Sequence, residues 1–260
     1  MVLAEKIALV TGAGRGMGRA IALQYAQAGA AVAAVDVDGQ TAQATSAAIE
    51  AAGGRSLPIQ ADVGELASID RMVQQTVETF GRLDVIVNNA GVTRYLSIME
   101  VTEADWDRIH RVNAKGVFFC MQRAAQQMIT QGQGGRIINI ASIAGKGYAG
   151  TSNAAYAASK GAVIAMTMIA AHQLGRYDIN VNAICPGVTR TAMSQASMVQ
   201  RAETLGVTVE EMERRRLETI PIRRANDPED IAAMAMFLAS PGARNITGQA
   251  FNVDGGLIMS

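Results

Sequence analysis

Short apolar runs alternate with longer segments of helical periodicity along most of the chain, and this rhythm constrains the fold more than any other feature. The runs at 6–10, 30–35, 56–60, 83–87, 136–140, 179–184 and 249–253 are short, and most are apolar throughout rather than alternating, as buried strands are. Between them, 15–28 carries Met17, Ile21, Ala22 and Tyr25 at helical spacing. Helices are also predicted at 41–52, stopped by Gly53-Gly54, and at 68–80, followed by Gly81. Two longer ones are predicted at 103–130 and 153–174.

Seven strands separated by helices imply parallel pairing, because each crossover returns the chain to the same end of the sheet. The expectation is one doubly wound, Rossmann-type α/β domain over 1–260: a seven-stranded parallel sheet with helices on both faces. Hydrophobic residues make up 49% of the chain and charged residues 18%, enough apolar material for that core. Lys plus Arg and Asp plus Glu balance at 23 each, which offers no general attraction to nucleic acid or anionic lipid. Cys120 and Cys185, far apart and in apolar surroundings, read as buried free thiols. There is no signal-peptide pattern and no uninterrupted apolar run of membrane-spanning length, so the expected setting is cytoplasmic, with no membrane partner. Isolated His110 and His172 read as surface or capped residues, and no metal site is expected. Trp106 is expected to pack at a helix end.

In a doubly wound sheet, ligands bind at the carboxyl ends of the strands. After the first strand comes Gly12-Ala13-Gly14-Arg15-Gly16-Met17-Gly18. Glycines admit a close backbone approach, and a helix starting inside this turn aims free N–H groups at a pyrophosphate. Asp36 ends the second strand, where a carboxylate accepts hydrogen bonds from ribose hydroxyls and repels a 2′-phosphate. NAD is therefore expected over NADP, although Arg15 is a cation available to that phosphate. Tyr156 and Lys160 share one helical face. An ammonium beside a phenol lowers its pKa from about 10, and such a phenol exchanges the alcohol proton while hydride moves. Ser142 donates to the substrate oxygen as charge develops there.

Taken in order, Thr11-Gly12-x-x-x-Gly16-x-Gly18, Asp62-Val63, Asn88-Asn89-Ala90-Gly91, Asn113, Ser142, Tyr156-x-x-x-Lys160 and Pro186-Gly187 resemble the short-chain dehydrogenase/reductase family over essentially the whole chain. The resemblance implies a catalytic tetrad of Asn113, Ser142, Tyr156 and Lys160, with the asparagine kinking its helix. It also places Asp62 and Val63 along the adenine, and Asn89, Ala90 and Gly91 in the cofactor cleft. Pro186, Gly187, Val188, Thr189 and Thr191 then cover the nicotinamide and its phosphates. Tyr148, Ser152 and Asn153 are candidate substrate contacts.

The segment 189–217 breaks the βα rhythm and sits where a substrate lid would lie. Thr208-x-x-Glu211 opens a charged helix in it, and Arg214-Arg215-Arg216 reads as a solvated face. The strings around 134–139 and 252–256 are similar to family members acting on polyols, diols and acetoin-like ketones. The expected reaction is NAD-dependent interconversion of a secondary alcohol and its ketone. The competing readings are an NADPH-dependent 3-oxoacyl-thioester reductase and a dinucleotide-binding sensor or scaffold without turnover. The family likeness also implies pairing of the two long helices across a dimer, often within a homotetramer.

Overall fold

The computed structural model describes residues 1–259. Seven strands form one parallel sheet in the order β3-β2-β1-β4-β5-β6-β7. They are β1 (Ile7–Thr11), β2 (Ala31–Asp36), β3 (Arg55–Gln60), β4 (Val85–Asn88), β5 (Gly135–Ile140), β6 (Ile179–Pro186) and β7 (Ala250–Val253). The chain turns back on itself between β1 and β4, which opens a crevice at the carboxyl ends of those strands.

The continuous apolar runs are explained by the helices on both faces. Successive strand side chains point to opposite faces. Ala8, Val10, Val32, Ala34, Val85, Val87, Ile138 and Ile140 enter one core. Leu9, Ala33, Val35, Ile86 and Ile137 enter the other. The first core is closed by α1 (Gly16–Gln27), α2 (Gly39–Ala51) and α9 (Pro228–Ala239). The second is closed by α3 (Leu66–Phe80), α5 (Val117–Gln131) and α6 (Ala154–Leu174).

The long helix predicted at 103–130 is continuous in path but changes pitch. It runs as α4 (Glu103–His110), a π-helical turn at Arg111–Gly116, then α5. Such a turn adds a residue to the ring and marks functional sites more often than chance. The sequence pattern marks no element between 217 and 249, yet α9 lies there. Its start is well defined, with Pro228 in the first turn and a reciprocal capping box between Asp227 and Asp230. The Tyr25 hydroxyl donates to the Ala235 carbonyl at 2.8 Å, tying α1 to α9.

The segment Ala154–Tyr177 is long and apolar enough to cross a membrane by length and a mean hydropathy of 1.4. In the fold, Ala170 and Ala171 on this helix pack into the sheet's second core, and Lys160 is buried beneath the carboxyl end of the sheet. The segment after β6 contains α7 (Ala192–Leu205) and α8 (Val209–Glu218). Thr208 caps α8, accepting from the Glu211 N–H at 3.2 Å, while the Glu211 carboxylate pairs with Arg214 and Arg215 instead of closing a capping box.

Candidate active site

The turn after β1 leads directly into α1. Arg15, the residue before the helix, supplies no side-chain cap, so the first N–H groups of α1 are free to meet an anion. Gly12 and Gly18 let the turn close tightly. A Cβ on Gly18 would sit 2.1 Å from the Gly12 carbonyl oxygen, and Gly12 itself holds φ at 64°. The Asp36 carboxylate reaches back into this turn. One oxygen accepts from the Gly14 N–H at 2.9 Å, the other from Asp38 at 3.1 Å. Each oxygen keeps a further lone pair for a hydroxyl. Arg15 is exposed, and Thr191 from the far wall approaches Gly16.

The next wall is the end of β4. The Asn89 amide donates to the Thr11 and Gly12 carbonyls at 3.0 and 3.1 Å. Thr11 Oγ1 accepts from the Asn89 and Ala90 N–H groups. The NNAG string is therefore bolted to the glycine turn across the β1–β4 switch. Asp62 is committed similarly: Gly64 donates to it at 2.8 Å and Arg111 pairs with it at 3.0 Å. Val63 is buried, and its carbonyl leaves no room for a side chain at Gly116.

Asn113 is fully buried in the π turn. Its side chain accepts from the Val92 N–H at 2.8 Å and donates to the Val92 carbonyl at 2.9 Å. Gly91 lies between Asn113 and Lys160: a Cβ there would be 3.4 Å from Asn113 Oδ1 and 3.6 Å from Lys160 Nζ. Lys160 donates to the Ile140 carbonyl at 2.7 Å, and its Nζ lies 5.9 Å from the centre of the Tyr156 ring. Ser142 follows β5 and stands beside the Tyr156 phenol. Asn113, Ser142, Tyr156 and Lys160 thus gather at one place.

The electrostatics differ from the sequence-based expectation in one respect. Burial pushes the Tyr156 phenol up, and the neighbouring Ser142 hydroxyl pulls it partly back. The lowering expected from Lys160 is not among the influences on the phenol. Burial instead draws the lysine itself down to about 8. A desolvated ammonium is costly, and the apolar surroundings act on both partners of the pair.

Ser142 and Tyr156 open into a cleft of about 430 Å³, together with Met17, Tyr148, Ser152 and the stretch from Pro186 to Thr189 with Thr191. Val188 is buried in that wall, while Gly187 is pinned by its N–H to the Val253 carbonyl at 2.9 Å. Asn153 is a correction to the predicted substrate contacts. It caps α6, accepting from the Tyr156 N–H at 2.7 Å, and its amide donates to Thr93 Oγ1 and the Arg94 carbonyl. With all its polar atoms engaged and 4% exposure, it positions Tyr156 from below. His110 stacks on Trp106 at 4.2 Å, away from this cleft.

The Arg214-Arg215-Arg216 face is a second correction. Arg214 is paired on the surface with Glu211, Arg215 borders the cleft with Glu211 as its partner, and Arg216 turns into the cleft without one. The signal is present in the sequence: once Thr208 caps the helix, Met212 and Arg216 share a face, and Met212 is buried. Arg201 on α7 reaches the same cleft, three residues after the buried Met198 on that helix's inner face.

A family model described as enoyl-(acyl carrier protein) reductase matches residues 12–258. A sorbitol dehydrogenase of Cereibacter sphaeroides is 40% identical, with 100% of both chains covered. A (3R)-3-hydroxyacyl-CoA dehydrogenase of Rattus norvegicus is 42% identical over 99% of this chain and 98% of its own. The crystal structure of a short-chain type dehydrogenase/reductase from Mycobacterium marinum superposes with a TM-score of 0.90 at 32% identity, covering 99% of this chain and 97% of that one. The chain belongs to the short-chain dehydrogenase/reductase family, whose members are NAD(P)-dependent oxidoreductases.

Proposed function

We propose that the protein interconverts a secondary alcohol, such as a polyol or diol, and the matching ketone with NAD, and that Tyr156 moves the proton. The observation that carries this reading is the convergence of Ser142 and Tyr156 on one cleft beside the glycine turn, with Lys160 buried behind the tyrosine ring. Bound along that turn, the dinucleotide supplies the hydride donor or acceptor. The free N–H groups at the start of α1 would hold its pyrophosphate, and Asp36 would accept from its adenosine ribose hydroxyls. Asp62, Val63, Asn89, Ala90 and Gly91 form one side of its cleft, and Pro186 to Thr189 with Thr191 the other.

In oxidation, the Tyr156 oxygen takes the hydroxyl proton as hydride leaves carbon. In reduction it returns that proton to the forming alkoxide. Ser142 donates to the same substrate oxygen. Lys160, held by the Ile140 carbonyl, places positive charge beneath the phenol, and Asn113 fixes the loop at Val92 that encloses it. Asp36 favours NAD, since its carboxylate faces the position of a 2′-phosphate and its neighbour Val37 offers no cation. The thioester-reductase reading draws support from the relative named as a hydroxyacyl-CoA dehydrogenase.

Assembly with a second copy of the chain belongs to the same proposal. Phe118 on α5 and Met168 and Ile169 on α6 stay exposed on the outer faces of these helices, where a two-fold partner would cover them.

The test follows reduced-nicotinamide absorbance with a panel of polyols, diols, ketones and 3-oxoacyl thioesters. Turnover of the alcohols with NAD is expected, and Tyr156→Phe lowers it about 100- to 10,000-fold while cofactor affinity stays within a factor of a few. Turnover untouched by this change removes Tyr156 from the mechanism. Better use of NADP than NAD removes Asp36 as the selector.

A further inference from the structure

Two guanidinium groups stand in the catalytic cleft without a counter-charge. Arg201 of α7 and Arg216 of α8 line it together with Ser142 and Tyr156. Arg215 borders the cleft too but is matched by Glu211, and Arg214 is matched by Glu211 and Glu218. Among the described residues neither Arg201 nor Arg216 has an ion pair, and Arg201 Nε is buried without a hydrogen-bond partner. The Arg201 guanidinium lies 5.8 Å from the centre of the Tyr95 ring, which holds its plane but leaves its donors unused.

The cleft wall holds no aspartate or glutamate among the described residues. Apart from its arginines, the polar side chains of the wall are hydroxyls, including Thr93, Tyr148 and Ser197. Glu213, one turn before Arg216, lines a neighbouring pocket with it and forms no ion pair with it, and Glu218, two residues after it, pairs with Arg214 instead. Burial and the charge of Arg201 both pull Arg216 down, while Tyr148 and Glu213 act the other way. Two like charges placed together in a partly desolvated wall oppose stability unless an anion joins them. A planar guanidinium is suited to a carboxylate, sulfonate or phosphate, which it binds through paired N–H groups.

We infer that the substrate carries an anionic group at the end remote from its reacting carbon, and that Arg201 and Arg216 clamp this group between α7 and α8. The inference rests on the proposed redox reading of the cleft and narrows its substrate from any secondary alcohol to an anionic one. It also gives the lid segment a function, since the anion completes the contact between its two helices over Tyr156.

Calorimetric titration of the NAD-saturated enzyme separates this from the redox reading, because a ketone and the oxidised dinucleotide have no hydride to exchange and binding is read without turnover. The probes are acetoacetate, 4-oxopentanoate and dihydroxyacetone phosphate, with methyl acetoacetate as the neutral counterpart. At least one anionic probe is expected to bind about 10-fold or more tightly than the ester, and to weaken as salt rises. Arg201→Gln and Arg216→Gln each weaken it about 10-fold or more, whereas Arg214→Gln, whose partners are on the surface, does not. A response confined to the phosphate or to the carboxylates keeps the clamp and assigns its anion. Anionic probes that bind no better than the ester, or equally in all variants, overturn the inference. Failure of Tyr156-dependent turnover on every alcohol and ketone would instead strike the redox reading.

Discussion

Tyr156 and Lys160 show why spacing alone does not set the chemistry of a pair. Four residues apart on α6, they share a face, yet the same burial that brings them together penalises both charged forms. Alcohol oxidation needs the phenolate and so gains with rising pH, while ketone reduction needs the phenol and loses. Opposite pH slopes of kcat/KM in the two directions are expected, and parallel slopes would contradict the assignment. Lys160 also makes a stability prediction. Its folded value of about 8 lies below the 10.5 of the unfolded chain. Between these values the unfolded state holds the extra proton, so this residue's penalty is complete below about 8 and fades as pH rises to 10.5. Lys160→Met should therefore raise the thermal midpoint, relative to wild type, more at about pH 7 than at about pH 10. A difference independent of pH would show that the buried amine carries no such penalty.

At the scale of elements, the π turn and α9 are the two features that organise the site from a distance. The turn swings Asn113 into the fold, where its amide satisfies both backbone groups of Val92. Asn113→Ala should cost about 1–3 kcal/mol in chemical denaturation, because these groups lose their partner in a buried place. Tyr25→Phe removes only one hydrogen bond between α1 and α9 and should cost about 1 kcal/mol without changing cofactor affinity. A large fall in affinity would mean that α9 sets the position of the phosphate turn. The lid is built differently from the sheet. Met198, Ala202 and Met212 form a small cluster of their own, with Val207 and Val209 packed on it. Backbone amides of α7 and α8 should exchange with solvent faster than those of β1, β4 and β5 in the cofactor-free protein. Equal protection would show a lid that does not open.

For the whole molecule, the exposed Phe118, Met168 and Ile169 are the surface most in need of a partner. Ile169→Arg should lower the mass seen by light scattering, and an unchanged mass would place the interface elsewhere. The fold is largely legible in the sequence, because burial on both faces makes a strand apolar at every position, and glycines, Asp36, Ser142 and Pro186 mark where strands end. α9 escapes because its run of alanine and methionine has no clear polar face, although Asp227, Pro228 and Asp230 announce its start. The tetrad is legible as a set of residue types in order. Chain order alone determined which strand ends converge, since parallel crossovers admit few alternatives. Only the tertiary structure decided which polar side chains face the cleft. It turned Asn153 inward as a cap, left Arg214 in solvent, and brought Arg201 and Arg216 together from separate helices. The physical reason is that strand burial follows from local pattern, whereas the direction of a lid side chain depends on how two helices, packed on a small core of their own rather than on the sheet's, settle over the site.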